Sequence, residues 1–278
     1  MASKGIVTDR YLVLGNPVAH SLSPRIHAEF ARATGQDIDY ARLLVPLDGF
    51  AQAVATLRAD GFRGANVTVP FKEDAFRCAT RLSARATAAG AVNTLRFDPD
   101  GIFGDNTDGC GLVADLRSNL GVPIAGRRVL LVGAGGAARG VLQPLLAENP
   151  AGLVIANRTV ARAQALAALG GALVRASTLE ALAGARFDIV INSTSAGIAG
   201  EVPPLPDGLF TAGAMAYDMM YGKGAGADRT AFLAWARTHG ASAGADGLGM
   251  LVEQAAEAFF VWRGVRPATA PVLAMLRG

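Results

Sequence analysis

The sequence has only two cysteines in 278 residues, Cys78 and Cys110, and neither has partners at the spacing of a metal site. They predict reduced thiols rather than a disulfide or a zinc centre. No apolar run reaches the ~18 residues that a membrane-spanning helix needs. The amino terminus carries Asp9 and Arg10 where a signal peptide would be apolar. We therefore expect a soluble, cytoplasmic protein with no metal, no disulfide and no membrane partner.

A strong excess of charge of one sign is also absent. The formal net charge is +3, and the basic residues are scattered rather than clustered with aromatic side chains. This pattern argues against nucleic-acid binding and suits small anionic ligands better. Because 51% of the residues are apolar, the chain can bury a sizeable core. Its length is that of one large domain or two ordinary ones.

Short apolar runs alternate with helical stretches through the first half of the chain. This alternation predicts an α/β domain with a mostly parallel sheet covered by helices. The DPDG turn at 98–101 predicts one hairpin. The predicted strands are 11–15, 41–45, 65–69 and 92–97, and the predicted helices are 24–34 and 48–60.

The alternation restarts in the second half as βαβαβ, which is half of a Rossmann-type dinucleotide-binding sheet. A further strand is predicted at 215–221, and an amphipathic helix at 247–264 that we expect to return to the first domain. The predicted substrate domain therefore comprises 1–109 and 247–278, and the predicted Rossmann domain comprises 110–246. Within the latter, the predicted strands are 127–136, 152–157 and 187–194, and the helices are 137–148 and 160–170.

A glycine-rich turn joins the first strand and helix of this second half. It matches G-x-G-x-x-G/A at Gly133, Gly135 and Ala138, in the strand-to-helix context that gives the pattern meaning. Small residues let the backbone approach a pyrophosphate, whose charge the helix N-terminus favours. The alternative is a glycine turn that serves packing alone. The predicted cofactor contacts in this turn are Gly133, Ala134, Gly135, Gly136 and Ala137.

The end of the next strand indicates which nucleotide is bound. An acidic side chain about 20 residues beyond the glycines would hydrogen-bond the ribose of NAD. This chain has Asn157, Arg158 and Thr159 there instead. Arg158 and Arg162 are four residues apart and would flank a 2′-phosphate, unless both are simply solvated. The segment therefore predicts NADP rather than NAD.

Hydride transfer to a carbonyl needs a proton donor beside the developing alkoxide. None of the three histidines, His20, His27 and His239, follows a predicted strand with an obvious partner. Lys72 does follow one, and its positive charge opposes the dipole in the first turn of the predicted helix. A role other than helix stabilisation is therefore indicated for this lysine.

A lysine in such a position needs a carboxylate as its counter-ion. The loop GDNTDG, which follows the predicted hairpin, offers both Asp105 and Asp108. Their spacing does not distinguish between them.

Seven motifs span nearly the whole chain in a fixed order. They are GNPVAHSLSP (15–24), NVTVPFK (66–72), AGAVNTL (89–95), GDNTDG (104–109), GAGGAARG (133–140), NRT (157–159) and DGLGMLVEQA (246–255). In this order they resemble the NADP-dependent, biosynthetic branch of the shikimate dehydrogenase family. The resemblance implies reversible reduction of 3-dehydroshikimate to shikimate by NADPH, on the route to aromatic amino acids.

The resemblance also implies roles for individual residues. Lys72 would protonate the nascent alkoxide, and Asp108 would hold the lysine and a substrate hydroxyl. Ser21 and Ser23 would bind the substrate carboxylate. The other implied substrate contacts are Thr68, Asn93, Tyr221 and Gln254, and the other implied cofactor contacts are Thr194, Gly247 and Met250.

Several alternatives remain open at this stage. Ser23 could cap the helix that follows it, and Met250 could belong to the core. The protein could be a quinate/shikimate dehydrogenase of broader specificity, or a non-catalytic sensor that binds NADP. The oligomeric state could be a monomer or a homodimer.

Overall fold

The computed structural model describes residues 8–222 and 230–278. These residues divide into two compact units. The first contains the chain up to Thr107 together with Gln254–Leu276 and Gly278, and the second contains Asp108–Glu253 and Arg277. The sequence-based boundaries lie at 109 and 246.

The first unit is built on a six-stranded mixed sheet in the order β2-β1-β3-β5-β6-β4. Its strands are β1 (Asp9–Gly15), β2 (Ile38–Leu44), β3 (Gly64–Val67), β4 (Arg81–Leu82), β5 (Thr94–Asp98) and β6 (Gly101–Asp105). Its helices before residue 107 are α1 (Ser23–Thr34), α2 (Phe50–Ala59), α3 (Lys72–Cys78) and α4 (Ala84–Ala89).

Three neighbouring strand pairs of this sheet are parallel, which agrees with the expected mostly parallel arrangement. The predicted hairpin is confirmed, because β5 and β6 are antiparallel around the turn at 98–101. The pairing of β3 with β5 is also antiparallel, which the sequence did not indicate. As a result, the carboxyl ends of β1, β3 and β6 and the amino end of β5 lie at one edge of the sheet.

The second unit contains a six-stranded parallel sheet in the order β12-β11-β10-β7-β8-β9, which is the doubly wound order of a Rossmann fold. Its strands are β7 (Arg128–Val132), β8 (Gly152–Ala156), β9 (Val174–Ser177), β10 (Phe187–Asn192), β11 (Phe210–Asp218) and β12 (Ala243–Asp246). Its helices are α5 (Asp108–Ala114), α6 (Gly136–Ala147), α7 (Val160–Ala167) and α8 (Ala231–Thr238). Two further helices follow in the chain, α9 (Leu248–Arg263) and α10 (Ala270–Arg277).

Two strands of this sheet were not predicted from the sequence. Strands β9 and β12 have four residues each, and β12 consists of Ala, Gly, Ala and Asp, which have low strand propensity. They form because β8 and β11 offer them unpaired backbone groups. Strand β11 was predicted at 215–221, but it runs from Phe210 to Asp218, so the prediction placed its end three residues too late.

No helix in the two described ranges is long and apolar enough to cross a bilayer. The interior of each unit is instead a packed globular core. In the first unit Phe71 stacks on Phe50 with 5.2 Å between ring centroids, and both rings are buried. This contact packs α2 against the start of α3, and so helps to fix the position of Lys72.

His27 lies on the buried face of α1, inside an aromatic cluster. Its ring stacks on Tyr40 with 4.3 Å between centroids, and Phe259 and Trp262 lie nearby. The side chain is completely buried, and the interaction of its ring with Asn66 is too weak to offset that burial. Burial lowers the pKa of His27 from 6.5 to about 3, so the folded protein holds this ring neutral.

We expect the free energy of unfolding to fall as the pH is lowered from 6.5 towards about 3. In that window the unfolded chain binds a proton at His27 that the folded chain does not accept. The contribution of this residue approaches ~1.4 kcal/mol per pH unit. His27→Phe keeps an aromatic ring beside Tyr40 and cannot be protonated, so it should flatten the pH dependence measured by urea denaturation.

The matched control is His20→Gln, at an exposed position of the same unit. This variant should retain the wild-type pH dependence. The same pH dependence in His27→Phe and in the wild type would show that His27 is not responsible.

Candidate functional site

The polar edge of the first unit begins at Ser21 and Ser23, just after β1. Both side chains are buried, and the Ser21 hydroxyl donates to the Ser23 hydroxyl at 3.1 Å. The Arg42 guanidinium donates to the backbone oxygen of Ser21 at 2.5 and 2.9 Å, which fixes the loop. Helix α1 begins at Ser23 itself and has no side-chain cap, so the capping alternative for Ser23 is wrong. The paired hydroxyls are therefore better placed to bind an anion than to cap the helix.

Asn93, Thr107 and Gln254 form the centre of this polar edge. The Asn93 amide nitrogen donates to the Thr107 hydroxyl at 2.9 Å and to the Gln254 side-chain oxygen at 3.2 Å. The Asn93 side-chain oxygen accepts from the Thr107 backbone N–H at 2.9 Å. All three side chains are buried. Buried amides need such partners, and the network fixes the orientation of each carboxamide.

The network continues from Asn93 to Tyr40. The Thr94 hydroxyl donates to the Asn93 side-chain oxygen at 2.9 Å and accepts from Asn66 at 3.1 Å. The Tyr40 hydroxyl donates to the Asn66 side-chain oxygen at 2.7 Å and also interacts with Ser23. A continuous hydrogen-bonded row therefore runs from the two serines to Gln254.

Four members of this row were not predicted from the sequence, namely Tyr40, Asn66, Thr94 and Thr107. Asn66 and Thr107 stand inside the motifs NVTVPFK and GDNTDG, and a polar side chain in an apolar strand is a signal for a buried hydrogen bond. Tyr40 lies on strand β2, where no such motif marks it.

Thr68 and Lys72 occupy the corner between β3 and α3. The Thr68 backbone N–H donates to the Leu14 backbone oxygen at 2.9 Å. The methyl group of the Thr68 side chain fills the space that a Cβ on Gly15 would need. Lys72 is the first residue of α3, and the sequence predicted it in the first turn of this helix. The Val92 backbone N–H donates to the Lys72 oxygen at 2.9 Å, which ties this corner to the segment leading to Asn93.

Asp105 and Asp108, which spacing could not separate, have different surroundings. The Asp105 carboxylate accepts two bonds from Arg85, at 2.5 and 2.7 Å, and one from Ser83 at 2.5 Å. Burial alone would raise its pKa, but these bonds together hold the pKa of Asp105 below its usual value. Asp108 is the buried first residue of α5. The geometry therefore gives Asp105 a structural role and leaves Asp108 as the candidate.

The predicted glycine turn of the second unit lies between β7 and α6. Gly133 has φ +108°, and a Cβ there would come within 2.7 Å of the Ser193 hydroxyl oxygen. Gly135 precedes the first residue of α6, and a Cβ there would meet nothing within 4 Å. Ala138 packs in the core under the turn. The turn leaves open space beside a helix N-terminus, which fits a pyrophosphate.

The residues expected to select the nucleotide follow β8. The Asn157 amide donates to the Thr159 backbone oxygen at 2.9 Å, which shapes the turn before α7 begins at Val160. Arg158 and Arg162 are both exposed. Arg162 lies in the first turn of α7 and Arg158 just before it, so both flank the same turn.

The remaining predicted cofactor residues lie at the ends of β10 and β12. The Thr194 N–H and hydroxyl both donate to the Asn192 side-chain oxygen, at 3.1 and 2.8 Å. Gly247 donates to the Met220 oxygen at 3.0 Å, and a Cβ there would collide with the Met219 backbone oxygen. Met250 packs in the core of this unit with 6% of its surface exposed, and its contact with the cofactor stays a prediction.

Tyr221 follows β11 and is half-buried. Of the predicted substrate residues, Ser21, Ser23, Thr68, Lys72, Asn93 and Gln254 belong to the first unit, whereas Asp108 and Tyr221 belong to the second. The predicted cofactor residues all belong to the second unit. The described part of the chain contains no cluster of His, Cys, Asp and Glu that could hold a metal ion.

Three protein-family models match the chain. "Shikimate dehydrogenase substrate binding domain" matches residues 13–95, and "Shikimate / quinate 5-dehydrogenase" matches residues 116–199. "Shikimate 5'-dehydrogenase C-terminal domain" matches residues 247–277.

Similar proteins match over nearly the full length. The shikimate dehydrogenase (NADP(+)) of Aromatoleum aromaticum is 61% identical over 274 residues, 97% of each chain. That of Dechloromonas aromatica is 59% identical over 278 residues, 98% of each chain. Among solved structures, the shikimate 5-dehydrogenase of Thermus thermophilus in complex with NADP(H) and shikimate is 34% identical. It has a TM-score of 0.84, with 97% of this chain and 98% of that chain covered.

We expect Asp105→Asn to lower the free energy of unfolding by about 2 kcal/mol, because it replaces the charged acceptor of two Arg85 hydrogen bonds and leaves Glu257 as the carboxylate paired with Arg85. Urea denaturation at neutral pH measures this loss. The control is Asp100→Asn, whose carboxylate is 72% exposed beside Arg81 and should cost little. Equal stability of the two variants would contradict the structural role of Asp105.

Proposed function

The chain belongs to the shikimate dehydrogenase family, and from this premise we propose that it catalyses the reversible reduction of 3-dehydroshikimate to shikimate with NADPH. The observation that carries the proposal is the 61% identity, over 97% of both chains, to a relative of that name. The hydrogen-bonded row from Ser21 to Gln254 supports it, because a polyhydroxylated carboxylic acid needs many oriented hydrogen-bond partners. The reaction would serve aromatic amino acid biosynthesis in the cytoplasm.

The substrate would be held by side chains of the polar edge. Ser21 and Ser23 bind its carboxylate through their paired hydroxyls. Thr68, Asn93 and Gln254 hydrogen-bond its carboxylate or ring hydroxyls, and Tyr221 closes over the ring. Because the Asn93 and Gln254 carboxamides are already fixed by Thr107, little orientational freedom is lost on binding.

The proton-transfer group in this proposal is the Lys72 ammonium. It donates a proton to the oxygen that becomes a hydroxyl on reduction, and it accepts that proton in the oxidation direction. Asp108 holds the lysine and a substrate hydroxyl in place. Asp105 already accepts hydrogen bonds from Arg85 and Ser83. The other carboxylate of the GDNTDG loop, Asp108, therefore takes the role of holding the lysine.

NADPH, when bound, supplies the hydride. The residues that would hold it fit a phosphorylated dinucleotide, since the open turn at Gly135 admits a pyrophosphate and no carboxylate follows β8. Arg158 and Arg162 bind the 2′-phosphate, and Asn157 and Thr159 shape the turn that precedes α7. The other contacts are Gly133, Ala134, Gly136, Ala137, Thr194, Gly247 and Met250.

The proposal is tested by steady-state rates with shikimate or quinate, each with NADP or NAD. Appreciable turnover of shikimate with NADP and rejection of quinate is the expected result, because the extra hydroxyl of quinate does not fit a pocket built for the flat shikimate ring. Comparable rates on quinate would favour the broader dehydrogenase. The absence of turnover in all four combinations would favour the sensor. Light scattering of the same preparation distinguishes monomer from homodimer.

We expect Lys72→Ala to lower kcat by a factor of roughly 10² to 10⁴ and to change the KM for shikimate little, because it removes a proton donor and leaves the hydrogen-bonding row intact. The control is Arg77→Ala on the same helix, whose side chain is 65% exposed. Equal losses in kcat and in substrate binding would make Lys72 a binding residue instead.

We expect Arg158→Ala to raise the KM for NADP roughly ten- to hundredfold and to leave the KM for NAD nearly unchanged, because only NADP carries the 2′-phosphate. Arg128→Ala, at the opposite end of β7 from the glycine turn, is the matched control. An unchanged NADP/NAD preference in Arg158→Ala would overturn the assignment.

A further inference from the structure

The second unit buries a carboxylate to which the proposed reaction assigns no role. Asp115 directly follows α5, in a short π-helical segment from Asp115 to Asn119, and it is completely buried. One carboxylate oxygen accepts from the Tyr217 hydroxyl at 2.7 Å, and the other accepts from the Asn119 amide at 2.9 Å. Burying a charge is costly, so its position calls for a physical reason.

Tyr217 connects this carboxylate to the start of α9. The tyrosine lies on β11 and is completely buried. Its hydroxyl donates to Asp115, and its oxygen accepts from the backbone N–H of Met250. The first backbone N–H groups of a helix have no partner within the helix. The Tyr217 hydroxyl therefore satisfies one of the unpaired donors in the first turn of α9.

Gly249 shows how closely the carboxylate approaches this turn. A Cβ on Gly249 would collide with an Asp115 carboxylate oxygen. Glycine inside a helix is less favourable than alanine by about 1 kcal/mol. Its presence is explained here because the carboxylate occupies the space that a side chain would need. A negative charge at a helix N-terminus is also stabilised by the helix dipole.

Burial is the largest influence on Asp115 and raises its pKa, whereas the bonds from Tyr217 and Asn119 act against this effect. The charges of Arg277 and Glu253 act on it in opposite directions. Burying the Asp115 carboxylate therefore costs free energy, and the carboxylate lies against the first turn of α9. That turn contains Met250 and directly follows Gly247, and the proposed function assigns both residues to NADP.

We propose that Asp115 and Tyr217 are positioning residues that hold the first turn of α9, and through Gly247 and Met250 set the affinity of this protein for NADP. The inference rests on the proposed function for the roles of Gly247 and Met250. Asp115 and Tyr217 act through the backbone of α9 and need not touch the nucleotide.

The first test is Tyr217→Phe, which keeps the buried ring and removes only the hydroxyl. We expect the Kd for NADPH, measured by its fluorescence, and the KM for NADP to rise about tenfold, the order expected from one buried hydrogen bond. The KM for shikimate should stay at the wild-type value. The matched control is Tyr11→Phe, a buried tyrosine of the first unit whose ring stacks on Trp262, and it should bind NADPH normally.

The second test is Gly249→Ala, which pushes the turn away from Asp115 without removing a polar group. Alanine favours helix, so a stability change from helix propensity alone would be favourable. We again expect weaker NADPH binding with an unchanged KM for shikimate. The control is Gly152→Ala in β8, where a Cβ would meet nothing closer than 3.9 Å.

Wild-type NADPH affinity in both variants would overturn the inference, as would equal losses for NADPH and shikimate, which indicate general damage. If Tyr217→Phe does not fold, Gly249→Ala decides by the same criteria. Failure of the proposed function would appear differently, as a wild-type protein that does not turn over shikimate. The NADPH titration needs no substrate and still measures the effect of both variants on the nucleotide.

Discussion

The carboxamide of Asn93 is the group on which the polar edge of the first unit depends. Its oxygen accepts from Thr94 and Thr107, and its nitrogen donates to Thr107 and Gln254. Because a buried amide without partners is costly, each partner must stay where it is. One side chain thereby fixes the start of β5, the segment after β6 and the middle of α9, at Gln254.

The second unit depends instead on glycines, where the backbone lies very close to neighbouring atoms. Gly133, Gly247 and Gly249 each lie where a Cβ would collide with a neighbouring oxygen atom. Helix starts and strand ends can then come together with little side-chain material between them. The polar edge of the first unit suits a small substrate with many hydroxyls, and the open helix start of the second suits a phosphorylated ligand.

Much of this organisation could be predicted from local sequence. The β7–α6 turn, the hairpin at 98–101 and the start of α3 at Lys72 follow from glycine, proline and apolar spacing over a few residues. Strands β9 and β12 could not be predicted, because their residues form strand only when a neighbour offers its backbone. The end of β11 was placed too late for a related reason, since an apolar run does not mark where pairing stops.

For the site, the sequence by itself determined which residue types were present and at which strand ends they stand. It did not separate Asp105 from Asp108, and it passed over Tyr40, Asn66, Thr94 and Thr107. Those distinctions depend on partners elsewhere in the chain: Asp105 and Arg85 are 20 residues apart, Tyr40 and Asn66 are 26 apart, and Thr107 and Gln254 are 147 apart. Local pattern encodes which segments form helix or strand, whereas the orientation of a buried polar group is decided by whichever distant donor or acceptor the tertiary structure brings to it.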